Sequence, residues 1–196
     1  MSWVSLWEYM FYLVLVAATG TMLPIVYAFL KKVKLNKVSQ WFGEANSFEE
    51  QKERLVVHES RIAGTLVYWK NKAAAHHRLH LARVTWSLVS AVTLPVIVQF
   101  YDSGNPWSVA FLTALTIFSG FIVALAHAMK SEEMYRGFRE CESDYYDVAR
   151  QLLDNPTDTP EARKEQVDKF LITAEKIRKA GRKVETSSPP SGLNSA

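Results

Sequence analysis

One cysteine, Cys141, in 196 residues excludes an intramolecular disulfide framework and any cysteine zinc cluster. No Asn-x-Ser/Thr acceptor is present, since Asn155 is followed by Pro156. The motifs of common catalysts are missing as well. There is no G-x-x-x-x-G-K-S/T phosphate loop, no G-x-S-x-G, no H-E-x-x-H and no pair of carboxylates in an apolar setting. Neither an enzyme nor a cofactor is expected. The 23 Lys and Arg nearly balance the 20 Asp and Glu, and a net charge of +3 gives no reason to expect a nucleic-acid partner. The most telling absence is local. Residues 84–101 and 107–129 contain no Asp, Glu, Lys or Arg.

These two runs, of 18 and 23 residues, are separated only by Asp102-Ser-Gly-Asn-Pro106. A bilayer core about 30 Å thick takes roughly 20 apolar residues as helix, so both runs are long enough to span. A third apolar block, Met10 to Leu30, lies at the N-terminus with only Glu8 charged before it. A cleaved signal would want a basic start and a shorter apolar core. Here the cations Lys31, Lys32, Lys34 and Lys37 follow the block, so it reads as a retained anchor, although Val26-Tyr-Ala28 is a weak cleavage pattern. The fold class expected is an all-α membrane protein with three transmembrane helices. The positive-inside rule puts the N-terminus outside and the C-terminus in the cytoplasm, with long cytoplasmic helical extensions. Every Lys and Arg then falls on the cytoplasmic side. Trp3, Trp7, Tyr101 and Trp107 sit at the outer interface and Trp86 at the inner one. The location expected is the inner membrane of a bacterium, multi-pass, with the bilayer as first partner.

The polar stretches are patterned for helix. A linker at 31–46 has interfacial character, with Val33, Leu35, Val38, Trp41 and Phe42. Ser47-Phe-Glu-Glu50 reads as a capping box. Phe48, Leu55, Ile62 and Trp69 then recur every seven residues on a charged helix that is free to run into the second span. After the third span, which shows no stop signal at Lys130, Met134, Phe138, Cys141, Tyr145, Val148 and Leu152 form a heptad-like seam. A last helix begins near Thr159-Pro160-Glu161, carries Phe170, Leu171, Ala174 and Ile177, and meets a plausible stop at Gly181. The Ser/Pro/Gly-rich tail from Glu185 is expected to be disordered. The domain plan is therefore an anchor (1–30), a linker (31–46), a helix-hairpin-helix unit (47–154), a C-terminal helix (155–184) and a tail (185–196). The stripes call for burial against each other or against another protomer, and no separate globular domain stands out.

Four residues of the third span share one helical face: Thr113, Thr116, Gly120 and His127. His127 is the one ionisable residue inside a span, and such groups usually face protein or water. One reading is a polar stripe lining a conduit in a homo-oligomer. The other is tight packing, since Gly120, Ala124 and Ala128 form a small-residue ridge and threonine bonds its own backbone. In the second span Pro95 removes a backbone donor and favours a kink. His76, His77 and His80 have metal-like spacing, but no carboxylate or cysteine completes a set and Arg78 and Arg83 repel a cation. A basic headgroup collar is the preferred reading, and no metal is expected.

Residues 50–154 resemble the SLATT domains, two-transmembrane effectors of bacterial nucleotide-signalling conflict systems. The resemblance rests on Tyr68-Trp-Lys-Asn-Lys-Ala73, His76-His-Arg-Leu-His80, Leu94-Pro95, Tyr135-Arg136 with Glu140, and Tyr145-Tyr146. It implies a pore-forming effector that depolarises the membrane in defence against phage, triggered by a companion sensor or nucleotide-signalling protein. Two features depart from the family's layout: the extra N-terminal span, and the lack of a recognisable fused sensor domain, so that a trigger is expected from a companion protein, a ligand of the cytoplasmic helices or the membrane itself. A phage-type holin and a non-conducting membrane scaffold are the alternatives.

Overall fold

The computed structural model describes residues 3–30, 42 and 46–186. The linker lysines, Trp41, the side chains of Trp3 and Ser47, and the tail beyond Thr186 lie outside the described residues, whereas Glu185 and Thr186, expected in the disordered tail, belong to the last helix. All regular structure among the described residues is helical: α1 (Trp3–Leu30), a 3-10 turn (Asn46–Gln51), α2 (Lys52–Val98), α3 (Pro106–Ala128), α4 (Ser131–Asp154) and α5 (Pro160–Thr186). Three helices are long and apolar enough to cross a membrane: Ser5–Leu30, α2 and α3.

Local chemistry sets the element boundaries. Phe48 has non-helical backbone angles (φ −122°, ψ 34°), a kink inside the 3-10 segment that precedes α2. α2 then continues without interruption into the second apolar run and through Pro95, which stands three residues before its end at Val98. Gln99 and Phe100 already belong to the turn. α3 starts as the Asn-Pro pair predicts. Asn105 is extended (φ −100°, ψ 110°) and its side chain accepts from the Trp107 amide at 3.0 Å, with Pro106 in the first turn. The hairpin loop is held by Asp102, whose carboxylate accepts from Gly104 N at 2.9 Å.

Two boundaries differ from expectation. The third span does stop. Met129 and Lys130 donate to Leu125 O and His127 O at 3.0 and 2.9 Å, and Lys130 takes a left-handed φ of 45° before α4 begins. This closes the helix end by satisfying its last carbonyls, a role glycine usually takes. Gly181, by contrast, is no stop. α5 runs on to Thr186, and Gly181 is buried where a Cβ would come within 2.6 Å of the Trp69 ring. The glycine is there to let that indole approach.

The chain divides into two compact units. The first, apolar unit comprises residues 1–31 and 75–132, hence α1, the later part of α2 and α3. Its packed contacts form two clusters. One gathers Trp7, Val14, Trp86, Phe111 and Leu115, and the other Ile25, Leu79, Ala82, Ile122 and Ala126. Trp86, expected at an interface, lies edge-on to Phe118 (4.6 Å between centroids) and donates to Thr21 Oγ1 at 3.2 Å. Trp7 is likewise buried, beside Phe111.

The second, charged unit comprises residues 32–74 and 133–196. Here the stripes find partners inside the chain. Phe48, Leu55, Ile62 and Trp69 from the α2 side, Met134, Phe138, Cys141, Tyr145 and Leu152 from α4, and Val167, Phe170, Ala174 and Ile177 from α5 form one core. Phe42 is part of that core at 1% exposed, 5.6 Å from Phe170 between ring centroids, rather than an interfacial linker residue. Its amide donates to the buried Glu59 carboxylate at 3.4 Å. The stretch that did not stand out as a domain thus has a core of its own.

Candidate functional site

The polar face of α3 is built by helix periodicity alone. At about 100° per residue, Thr113, Thr116, Gly120 and His127 fall in an arc of about 60°. All four are exposed. The residues of α3 that are buried are Ser108, Phe111, Leu115, Ser119, Ile122 and Ala126. Their arc is centred about 130° away round the helix. The contacts that hold α3 inside its own unit therefore use a different face from the one carrying the threonines and the histidine. A Cβ added at Gly120 would meet nothing within 4 Å.

The face used inside the unit has polar contacts of its own. Ser90 of α2 and Ser119 of α3, both buried, share a hydroxyl–hydroxyl hydrogen bond. Thr21 of α1 accepts from Trp86 and itself donates to Ala17 O at 2.8 Å. Sequence reasoning passed over these pairs. Their only signal was serine or threonine in an apolar run, the same signal borne by Thr113 and Thr116.

Pro95 is exposed, and Thr93 beside it donates to Val89 O at 2.7 Å. The histidine group is divided. His76 is buried with its ring edge-on to Phe29 (5.4 Å), whereas His80 lies 3.2 Å from Arg83 and 3.7 Å from Glu132. Arg83 reaches Glu132 at 3.1 Å. Among the described residues, no three His, Cys, Asp or Glu side chains come together as a metal site.

Tyr135, Arg136 and Glu140 of α4 are not one cluster. Tyr135 packs on the core of the charged unit, while Arg136 and Glu140 are exposed. Glu140 lines a shallow surface groove with Arg139, Glu142, Ser143 and Tyr146, where Arg139 pairs with buried Glu142 at 2.7 Å. Burial, then the nearby Asp144 and Glu140 carboxylates, push the Cys141 thiol above its ordinary pKa, so it stays protonated and weakly nucleophilic. Comparison with family models, with curated proteins and with solved structures finds no match to this chain.

Proposed function

We propose that the chain spans the membrane three times and assembles into a homo-oligomeric pore whose conduit is lined by Thr113, Thr116, Gly120 and His127. One observation carries the reading: the polar face of α3 is an exposed face, while its packing within the chain uses another. In a lone protomer that face would meet lipid, an expensive place for an ionisable side chain. Neighbouring copies, with water between them, remove that penalty. The charged unit needs no such partner, since its stripes are already buried within the chain. The resemblance of residues 50–154 to SLATT domains supplies the setting. In it, the pore is an effector of a bacterial anti-phage system that depolarises the inner membrane when a companion sensor signals.

The test is expression in a bacterium with a membrane-potential dye, at rest and during phage infection. Depolarisation that Thr116→Leu and Gly120→Leu reduce by about tenfold or more, at unchanged membrane levels, is the expected outcome. Both positions are exposed, and Gly120 has free space around it, so loss of function without loss of protein points to assembly. A chain that reaches the membrane and never changes the potential sinks the pore and leaves the scaffold.

A further inference from the structure

The last turns of α5 carry five cations, Lys176, Arg178, Lys179, Arg182 and Lys183, against two acids, Glu175 and Glu185. Both acids are engaged. Glu175 pairs with Arg178 at 2.8 Å and lies 3.6 Å from Arg182. Glu185 accepts from Tyr68 at 2.5 Å, on the core side of the helix. The arginines are thereby partly neutralised. Lys176, Lys179 and Lys183 follow i, i+3, i+7 spacing and are all exposed. They form a stripe centred about 160° round the helix from the buried Ala174, Ile177 and Gly181.

The place of this stripe in the chain says what meets it. Val184 packs against Gly137 of α4, so closely that a Cβ on Gly137 would lie 2.8 Å from its methyls. Gly137 is six residues beyond Ser131, the start of α4, or about 9 Å along the helix. Ser131 itself follows the end of α3 by only two intervening residues. The end of α5 thus packs on a residue only nine positions along the chain from Ala128, the last residue of α3.

We infer that the lysine stripe Lys176–Lys179–Lys183 is a docking surface for the headgroups of anionic phospholipids. The inference rests on α3 being a membrane span and does not need a pore. Lysine suits this partner because its long apolar stem and compact ammonium reach phosphates without a fixed geometry. Each cation near an anionic surface strengthens attachment by about fivefold, so three act together where one would not.

The full chain tests this in nanodiscs of phosphatidylcholine, with or without phosphatidylglycerol. A fluorophore is placed by Ala180→Cys, an exposed site beside the stripe, with Cys141→Ala removing the native thiol. Quenching by neutral acrylamide should fall about twofold or more when phosphatidylglycerol is present. The protection should vanish at about 1 M salt, where the screening length is about 3 Å, and in the triple variant K176Q/K179Q/K183Q. Equal quenching in both lipids overturns the inference while leaving the spans intact. Failure of the chain to insert at all overturns the spans instead. Protection by added RNA or an acidic polypeptide in phosphatidylcholine discs, with none from phosphatidylglycerol, assigns the stripe to a different partner and also overturns it.

Discussion

The two units are built from the same kind of helix with opposite surfaces. In the charged unit most large apolar side chains are inside, with Val56, Val57 and Ile172 as exceptions, and what remains outside is mostly charged. In the apolar unit they are on both sides. Leu13, Val16, Leu23 and Ile117 are each more than 60% exposed, while Trp7, Leu79 and Ile122 are buried. One unit is sorted by water, and the other is not. Burial of an apolar group from water stabilises by roughly 25 cal/mol per Å², whereas exchanging a lipid neighbour for a helix neighbour gains only packing and polar contacts. The charged unit therefore rests on a large aromatic core. The apolar unit adds small polar links such as Ser90–Ser119 and Thr21–Trp86.

Truncating the core of each unit exposes this contrast most strongly. Phe138→Ala, at a fully buried position, should destabilise the charged unit by about 3–5 kcal/mol. Ile122→Ala is buried as completely in the apolar unit. It should lose about half as much or less, because lipid offers the removed methyls a similar environment. Hydrogen exchange of α4 and α3 amides in the full chain, reconstituted in lipid, reads the two units separately, and equal losses break the comparison.

A smaller effect separates the units by pH. The His58 ring lies between Tyr145 (6.2 Å, stacked) and Phe170 (5.5 Å, edge-on), and its Nε2 is buried without a hydrogen-bond partner. Burial, then Arg178 and Arg61, hold its imidazole below the ordinary value of 6.5, with Glu175 opposing. The unfolded chain therefore takes up a proton more readily than the folded one. The stability contributed by this site is complete above about pH 6.5 and falls as pH drops through the window between the unfolded and folded pKa values. The same exchange measurement should show α4 protection declining there, with the decline flattened by His58→Gln. An unchanged slope in that variant would remove His58 as the cause.

The smallest effect sharpens the account of the apolar unit. A double-mutant cycle on Ser90→Ala and Ser119→Ala should return a coupling of about 0.6 kcal/mol, as is usual for hydroxyl pairs between membrane helices. A coupling of zero would leave packing alone to hold α2 to α3.

The same contrast explains what was legible beforehand. Phe48, Leu55, Ile62 and Trp69 announced the core of the charged unit because water on the far side of the helix forces a periodic change in polarity. Tyr145 and Phe138 followed for the same reason, and all are buried. In the apolar unit the packed face and the outer face are both apolar, so spacing says little about which is which. Trp7 and Trp86, read as interfacial aromatics, are buried against neighbouring helices, which spacing alone did not show. Ser119 and Thr116 look alike in sequence, yet one is buried and the other exposed. Gly181 was ambiguous for another reason: a glycine kept for its lack of a side chain resembles one kept for its backbone freedom. Phe42, one of the apolar residues of a stretch read as an interfacial linker, gave no sign of the core it enters.

Gly120 carries this separation of faces to a single atom. With open space where its Cβ would be, a methyl added there meets no neighbouring atom within 4 Å. A series of alanine, valine and leucine acts as a graded spacer between α3 and whatever lies beside it, a molecular ruler set into the surface of the helix.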